Sequence, residues 1–275
     1  MQVNVHPVDH YGAQYGHFTS QLYEEIRAET FGEDIGQNGW LTAGEQDLFL
    51  SWLGLRPEHT LLDIACGSGG PALRIAQRTG CRVQGIDLHQ DGVAQAEAQA
   101  VARGLSALAR FDRADAGKPL PFEDDAFDAV ICADAVNHLP DRARALGEWA
   151  RVLRPGGRLV YTDPVVVTGP LTNEEIGIRA SIGFFLFMTP GANERLLARA
   201  GFEVLEVVDR TENMARIAGR WCAARAARGT ELREVEGKAT FEGQQRFFEV
   251  AERLAATRRL SRFAFHARRT GRSAA

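Results

Sequence analysis

Long apolar runs are missing from this 275-residue chain. The most apolar stretch, Phe184-Phe185-Leu186-Phe187-Met188, falls far short of the roughly 20 residues a spanning helix needs, so no membrane partner is expected. The opening Met1-Gln2-Val3-Asn4-Val5-His6-Pro7 lacks the basic and apolar regions of a secretory leader, and cytosol is the expected location. Cysteine is scarce. The four residues Cys66, Cys81, Cys132 and Cys222 form no C-x-x-C pair and no matching histidine spacing, which excludes a disulfide framework and leaves no metal site to expect. A basic surplus is missing too: 32 Lys plus Arg stand against 36 Asp plus Glu, so nothing in the charge favours nucleic acid. Repeats and low-complexity segments are absent. What remains, 45% hydrophobic and 25% charged residues, is ordinary for a globular protein, and the length suits one α/β domain with appended elements.

The most informative stretch is Leu61-Leu62-Asp63-Ile64-Ala65-Cys66-Gly67-Ser68-Gly69-Gly70. A buried strand runs into a loop of small residues, and Pro71-Ala72-Leu73-Arg74-Ile75-Ala76-Gln77 then starts a helix, which together make a nucleotide-binding corner. The next strand, Cys81 to Asp87, ends in an acidic residue about 20 positions on, where a carboxylate can accept hydrogen bonds from both ribose hydroxyls. A dinucleotide fingerprint would space its glycines G-x-G-x-x-G. Here small residues alternate at 65, 67 and 69 behind Asp63. That pattern resembles motif I of the class I S-adenosylmethionine-dependent methyltransferases, D-x-G-x-G-x-G, with Ala65 replacing the first glycine and restricting φ there.

Other segments extend the resemblance over residues 40–165. Arg110 to Ala116 is similar to the family's third-strand signature, in which an acidic residue, here Asp115, contacts the adenine amino group. Phe127 to Cys132 reads as a fourth strand, and Arg151-Val152-Leu153-Arg154-Pro155-Gly156-Gly157 resembles the family's Pro-Gly-Gly turn into a fifth. The resemblance implies S-adenosyl-L-methionine as cofactor, S-adenosyl-L-homocysteine as product, and Asp63, Ala65, Gly67, Gly69, Asp87, Leu88, Asp115, Ala116, Ala133, Gln37 and Trp40 as the residues around it.

Strands near 60–65, 82–87, 108–112, 127–132 and 157–163 alternate with helices 70–79, 90–103 and 141–153. This predicts an α/β, Rossmann-like, seven-stranded, mostly parallel sheet with helices on both faces and ligands at the strand C-terminal ends. Residues 1–55 are expected to form an N-terminal helical lid, with a glycine-rich loop from Phe31 to Trp40. Residues 56–165 form the cofactor-binding core, and 166–275 supply substrate-cap helices and the last two strands.

Methyl transfer is an in-line displacement, so the acceptor must be positioned and any proton on it removed. The fourth strand ends in Ala133-Asp134-Ala135-Val136-Asn137-His138, which resembles the D-A-x-x-H of phosphoethanolamine methyltransferases; rebeccamycin-type sugar O-methyltransferases carry a similar His-Leu-Pro-Asp with a partner at Asp163. His138 is the candidate base or orienting group near its ordinary pKa, with Asp134 or Asp163 fixing its tautomer; the alternative is a structural histidine or pocket wall. The phosphobase enzymes bind their anionic substrate with Arg and Tyr after the fifth strand. Gly183 and Phe185 stand there, which argues against phosphate. Their catalytic N-terminal tyrosine has no in-register match, and Tyr11, Tyr15 or Tyr23 would need a shifted helix. Tyr15, Phe184, Phe185 and Phe187 are candidate substrate contacts; if the phenylalanines face the cavity rather than the core, the acceptor has an apolar part. The expected partner is a small-molecule methyl acceptor bound by a monomer or homodimer. The competing readings are a nucleic-acid base methyltransferase, a nicotinamide oxidoreductase and a cofactor-binding scaffold.

Overall fold

The structure, a computed structural model, describes residues 7–271. Three helices precede the sheet: α1 (His10–Gly16), α2 (Gln21–Phe31) and α3 (Ala43–Leu53). The core then alternates β1 (Thr60–Ile64), α4 (Gly70–Thr79), β2 (Arg82–Asp87), α5 (Gln90–Ala102), β3 (Ala109–Arg113), β4 (Phe127–Cys132), α6 (Arg142–Val152) and β5 (Leu153–Val167). After it come α7 (Asn173–Arg179), α8 (Ala192–Arg199), β6 (Phe202–Asp209), α9 (Thr211–Ala227), α10 (Gly229–Glu236), α11 (Lys238–Ala256) and β7 (Leu260–Arg269).

The seven strands run in the order β3-β2-β1-β4-β5-β7-β6. The first five are parallel, and β7 is antiparallel to both β5 and β6. Strand order reverses between β1 and β4, which opens a crevice at their C-terminal ends. Strand β5 starts earlier than the Pro-Gly-Gly turn suggested. Its pairing with β4 jumps from Phe127–Leu153 to Ala129–Arg158, so Arg154 to Gly157 form a bulge inside the strand and not a separate turn.

The corner between β1 and α4 explains its own composition. A Cβ on Gly69 would lie 2.6 Å from the Ala96 methyl of α5, and one on Gly70 would lie 2.1 Å from the Ile35 carbonyl. Close packing of α5 and of the N-terminal loop, more than room for a ligand, therefore demands glycine at these two positions. Ala65 carries a φ of 58°, the left-handed region that alanine rarely occupies.

The N-terminal helices do not sit apart from the C-terminal ones. Tyr23, Ile26 and Phe31 of α2 share one apolar cluster with Met214, Ile217 and Trp221 of α9 and Phe247 and Phe248 of α11. Trp40, expected over the cofactor, is buried in this cluster, its ring stacked on Phe247 at 6.4 Å and edge-on to Phe248 at 6.2 Å. Packing against aromatics of the distant helix α11 outcompeted the position over the cofactor that the glycine-rich loop implied.

A buried ion cluster joins these layers. Arg262 of β7, fully buried, donates to Asp134 just beyond β4 (2.6 Å to Oδ1, 3.2 Å to Oδ2) and to both carboxylate oxygens of Glu45 in α3 (2.7 and 2.9 Å). Asp134 also accepts from the Thr162 hydroxyl (2.7 Å) and from the Trp40 backbone N–H (2.8 Å). Asp134 has a φ of 56°, a strain this six-bonded hub over-determines. Arg262→Met would strand two buried carboxylates, and denaturant unfolding should show a loss of about 3–5 kcal/mol; a loss below about 1 kcal/mol would contradict the hub. Ala65→Gly should relieve a left-handed penalty of about 1–2 kcal/mol against a glycine entropy cost of about 0.5–1 kcal/mol. Its melting temperature should rise by roughly 1–3 °C, and a lower one would show that Ala65 is not strained.

Candidate active site

One cavity of about 480 Å³ lies at the switch point. Its floor is the β1 corner: Asp63, Ala65, Cys66 and Gly67. Asp87 and Leu88 line it from the end of β2, Asp115 and Ala116 from the loop after β3, Ala133, Asp134 and His138 from the turn after β4, and Gln37 from the N-terminal loop. Tyr15 and Phe184 complete the wall. Gly69, Trp40, Asp163, Phe185 and Phe187, all candidates by sequence, do not line it. Gly69 is spent on helix packing, and Phe187 joins a cluster with Val165, Ile178 and Leu254.

The Asp87 carboxylate accepts from the backbone N–H of Gly67 and of His89, each at 2.9 Å, and so holds the glycine loop to the start of α5. Each oxygen keeps a lone pair for a ligand hydroxyl. Asp115 Oδ1 accepts from Gly117 N–H at 2.9 Å, and Lys118 lies 3.4 Å from Oδ2. Asp63 differs. It is buried, and no protein hydrogen bond reaches its carboxyl among the described residues. Burial, and next the charge of Asp87, push its pKa up to about 8. A buried carboxyl left without partners at the cavity floor is a receptor for a cationic group, and S-adenosylmethionine carries two. The residues present therefore fit the cofactor that the glycine loop implies. Cys66 is the other titratable group of the floor, and burial raises its thiol well above the ordinary value, so it stays protonated.

His138 ends a short 3₁₀ turn, Val136–His138. Its Nδ1 lies 2.9 Å from the Phe184 carbonyl oxygen, which can only accept, so Nδ1 carries the hydrogen. Nε2 is then a bare acceptor, and the Tyr11 hydroxyl, 2.7 Å away, donates to it. Burial lowers His138 to about 4 and raises the Tyr11 phenol above its usual range. The pair is neutral at physiological pH, which corrects the expectation of a histidine near its ordinary pKa.

Neither aspartate touches His138. Asp134 belongs to the Arg262 hub. Asp163, with no exposed surface, is bonded to the Arg142 guanidinium and to Asn193 Nδ2 (2.9 Å) and braces α6 and α8 against β5. The partner is Tyr11, which the sequence offered only as one of three tyrosines that would need a shifted helix. It sits on α1, whose start is marked by Asp9, an N-cap that accepts from Gly12 N–H. That cap was the available signal. His89 at the N-cap of α5 packs on Tyr11 and Tyr15, with ring centroids at 5.3 and 5.6 Å, and holds α1 over the cavity. No cluster of three metal-ligating side chains occurs among the described residues, and no described helix is long and apolar enough to cross a membrane.

A family model described as a methyltransferase domain matches residues 62–161. Over 221 residues the chain is 32% identical to the methyltransferase GfsG of Streptomyces halstedii, an alignment that takes in 74% of this chain and 78% of that protein. It is 33% identical over 157 residues to the 27-O-demethylrifamycin SV methyltransferase of Amycolatopsis mediterranei, covering 54% of this chain and 57% of the relative. The cyclopropane synthase MmaA2 of Mycobacterium tuberculosis has the same fold, with a TM-score of 0.80 at 19% identity over 95% of this chain and 99% of its own. A likeness to GfsG through most of both chains, on a fold whose switch point fits this cofactor, settles the family: the chain belongs to the class I S-adenosylmethionine-dependent methyltransferases that act on small molecules.

Proposed function

We propose that this methyltransferase alkylates a hydroxyl oxygen on a small molecule with an apolar part, and that Tyr11 and His138 take up the acceptor's proton. The observation that carries the reading is the neutral Tyr11–His138 hydrogen bond at the cavity wall. Asp87 would hold the ribose, Asp115 the adenine amino group, and Asp63 the cationic end of S-adenosylmethionine. When bound, that cofactor supplies an electrophilic methyl group on a sulfonium.

Everything else falls to the chain. An acceptor hydroxyl beside Tyr11 can donate to the phenol oxygen while the phenol hydrogen moves to His138 Nε2. The Phe184 carbonyl stabilises the imidazolium that results, through the Nδ1 hydrogen. The aromatic ring of Phe184 and the side chains of Leu139 and Ile182 line the acceptor side of the cavity and suit an apolar skeleton. The relative named for an O-demethylated rifamycin supports oxygen as the accepting atom.

Acceptors found by screening hydroxylated compounds with labelled cofactor give the readout. Because burial holds His138 neutral down to about pH 4, wild-type turnover should be level from pH 6 to 9, with no inflection near 6.5. Tyr11→Phe should lower turnover by roughly 10²–10⁴-fold with affinity for S-adenosylhomocysteine little changed. Turnover within about threefold of wild type across that range would reject proton transfer through the pair. Independently of any acceptor, Asp87→Ala should weaken S-adenosylhomocysteine binding by about 1.5–3 kcal/mol in calorimetry, and unchanged affinity would remove Asp87 from the ribose site.

A further inference from the structure

The chain has four arginines among its largest fully buried side chains: Arg142, Arg179, Arg225 and Arg262. Three are neutralised by carboxylates, Arg142 by Asp163, Arg225 by Glu236 and Arg262 by Asp134 and Glu45. Arg179, the last residue of α7, is not. No carboxylate pairs with it and no protein acceptor reaches its nitrogens among the described residues, with Nε and Nη1 buried and unbonded. Three aromatic faces lie against it: its guanidinium carbon is 4.3 Å from the Phe247 centroid, 5.5 Å from Phe185 and 5.8 Å from Trp40.

Arg179 lines a second, smaller chamber of about 40 Å³. Other unsatisfied groups face the same space. Asn137, 1% exposed, leaves both Nδ2 and Oδ1 without partners, and the Trp221 indole N–H is likewise unbonded. A packed interior does not collect orphaned donors around one void unless something polar fills it. The chamber adjoins the main cavity and shares with it the walls Tyr11, Asn38, Gly39, Asp134, His138 and Ile182. It shares none of Asp63, Gly67, Asp87 and Asp115, the residues assigned to the cofactor. Its occupant therefore approaches the proton-handling pair from the acceptor side.

We propose that the chamber is the subsite for a carboxylate group of the methyl acceptor, gripped by Arg179, Asn137 and the Trp221 N–H. The inference rests on the small-molecule O-methylation reading and narrows its substrate class to hydroxylated carboxylic acids. Charge selects an anion, because the chamber holds an uncompensated cation, and the planar guanidinium fork matches a carboxylate. Size selects among anions. At roughly 10–15 Å³ per water-sized position, 40 Å³ seats about three to four non-hydrogen atoms, which a planar carboxylate fills and a tetrahedral phosphate ester, with five, exceeds. Aromatic residues account for the rest, since they hold the guanidinium in place without neutralising it. The segment after the fifth strand thus contains the cation that its sequence did not reveal at positions 183 and 185.

The test uses the whole protein saturated with S-adenosylhomocysteine and titrated with benzoate, its neutral isostere benzamide, and phenyl phosphate. Benzoate should bind at least about tenfold more tightly than benzamide, and phenyl phosphate should show no such preference. Arg179→Leu should abolish the preference for benzoate, leave S-adenosylhomocysteine affinity unchanged, and keep or raise the melting temperature, because it deletes a buried charge that has no partner. If Arg179→Leu does not fold, Asn137→Leu should weaken benzoate selectively in its place. Equal binding of benzoate and benzamide to the wild type, or an Arg179→Leu protein that keeps the preference, would overturn the subsite. Tighter binding of phenyl phosphate would overturn the carboxylate. Failure of the methyltransferase reading itself would appear separately, as a wild-type protein that does not bind S-adenosylhomocysteine.

Discussion

The position of Arg262 governs the site. Its guanidinium is fully buried and reaches the turn after β4 through Asp134 and the helix ahead of the sheet through Glu45. A buried cation with two carboxylates is stable only when all the bonds are made together, so three distant parts of the chain are held in one geometry. Asp134 passes the constraint on through the Trp40 backbone N–H. The N-terminal loop is thereby fixed beside the β4 turn, and Asn38 and Gly39 line both cavities. The 3₁₀ turn that carries His138 begins two residues after Asp134. Removing the hub would therefore disturb catalysis without touching the acceptor.

Burial sets the chemistry of the walls. His138, Tyr11 and Asp63 are each pushed toward their neutral forms by desolvation. A neutral phenol–imidazole pair can accept a proton from a hydroxyl without first shedding one to solvent. Asp63 works in the opposite sense: a cationic ligand restores its charge, so its own energetic penalty favours the loaded state. Arg179 fits the same logic with the sign reversed. In the proposed reading each orphaned group meets a different part of the two substrates.

Much of the fold was legible because local pattern and tertiary structure agree. The β1 corner and the acidic end of β2 lie where periodicity and the glycine loop placed them. Chemistry carried by contacts distant in sequence was not legible. Asp134 has the position of a catalytic carboxylate, yet its partner comes from β7, 128 residues on. Trp40 stands in a glycine-rich loop that reads as a cover for the cofactor, and aromatics of α9 and α11 bury it. Tyr11 pairs with His138 across 127 residues, and Arg179 is recognisable only from the absence of a partner. Spacing along a strand or helix encodes faces, but not which face of another element will meet them.

The central claim is that His138 is neutral, protonated on Nδ1, and bonded through Nε2 to a tyrosine hydroxyl. Nitrogen-15 NMR of histidine-labelled protein, assigned by comparison with a His138→Gln variant, reads that state directly. The account predicts a resonance pair typical of the Nδ1–H tautomer that stays constant from pH 8 down to about pH 5, with the Nε2 signal shifted in Tyr11→Phe. A His138 that titrates near pH 6.5, or that carries its hydrogen on Nε2, would contradict it.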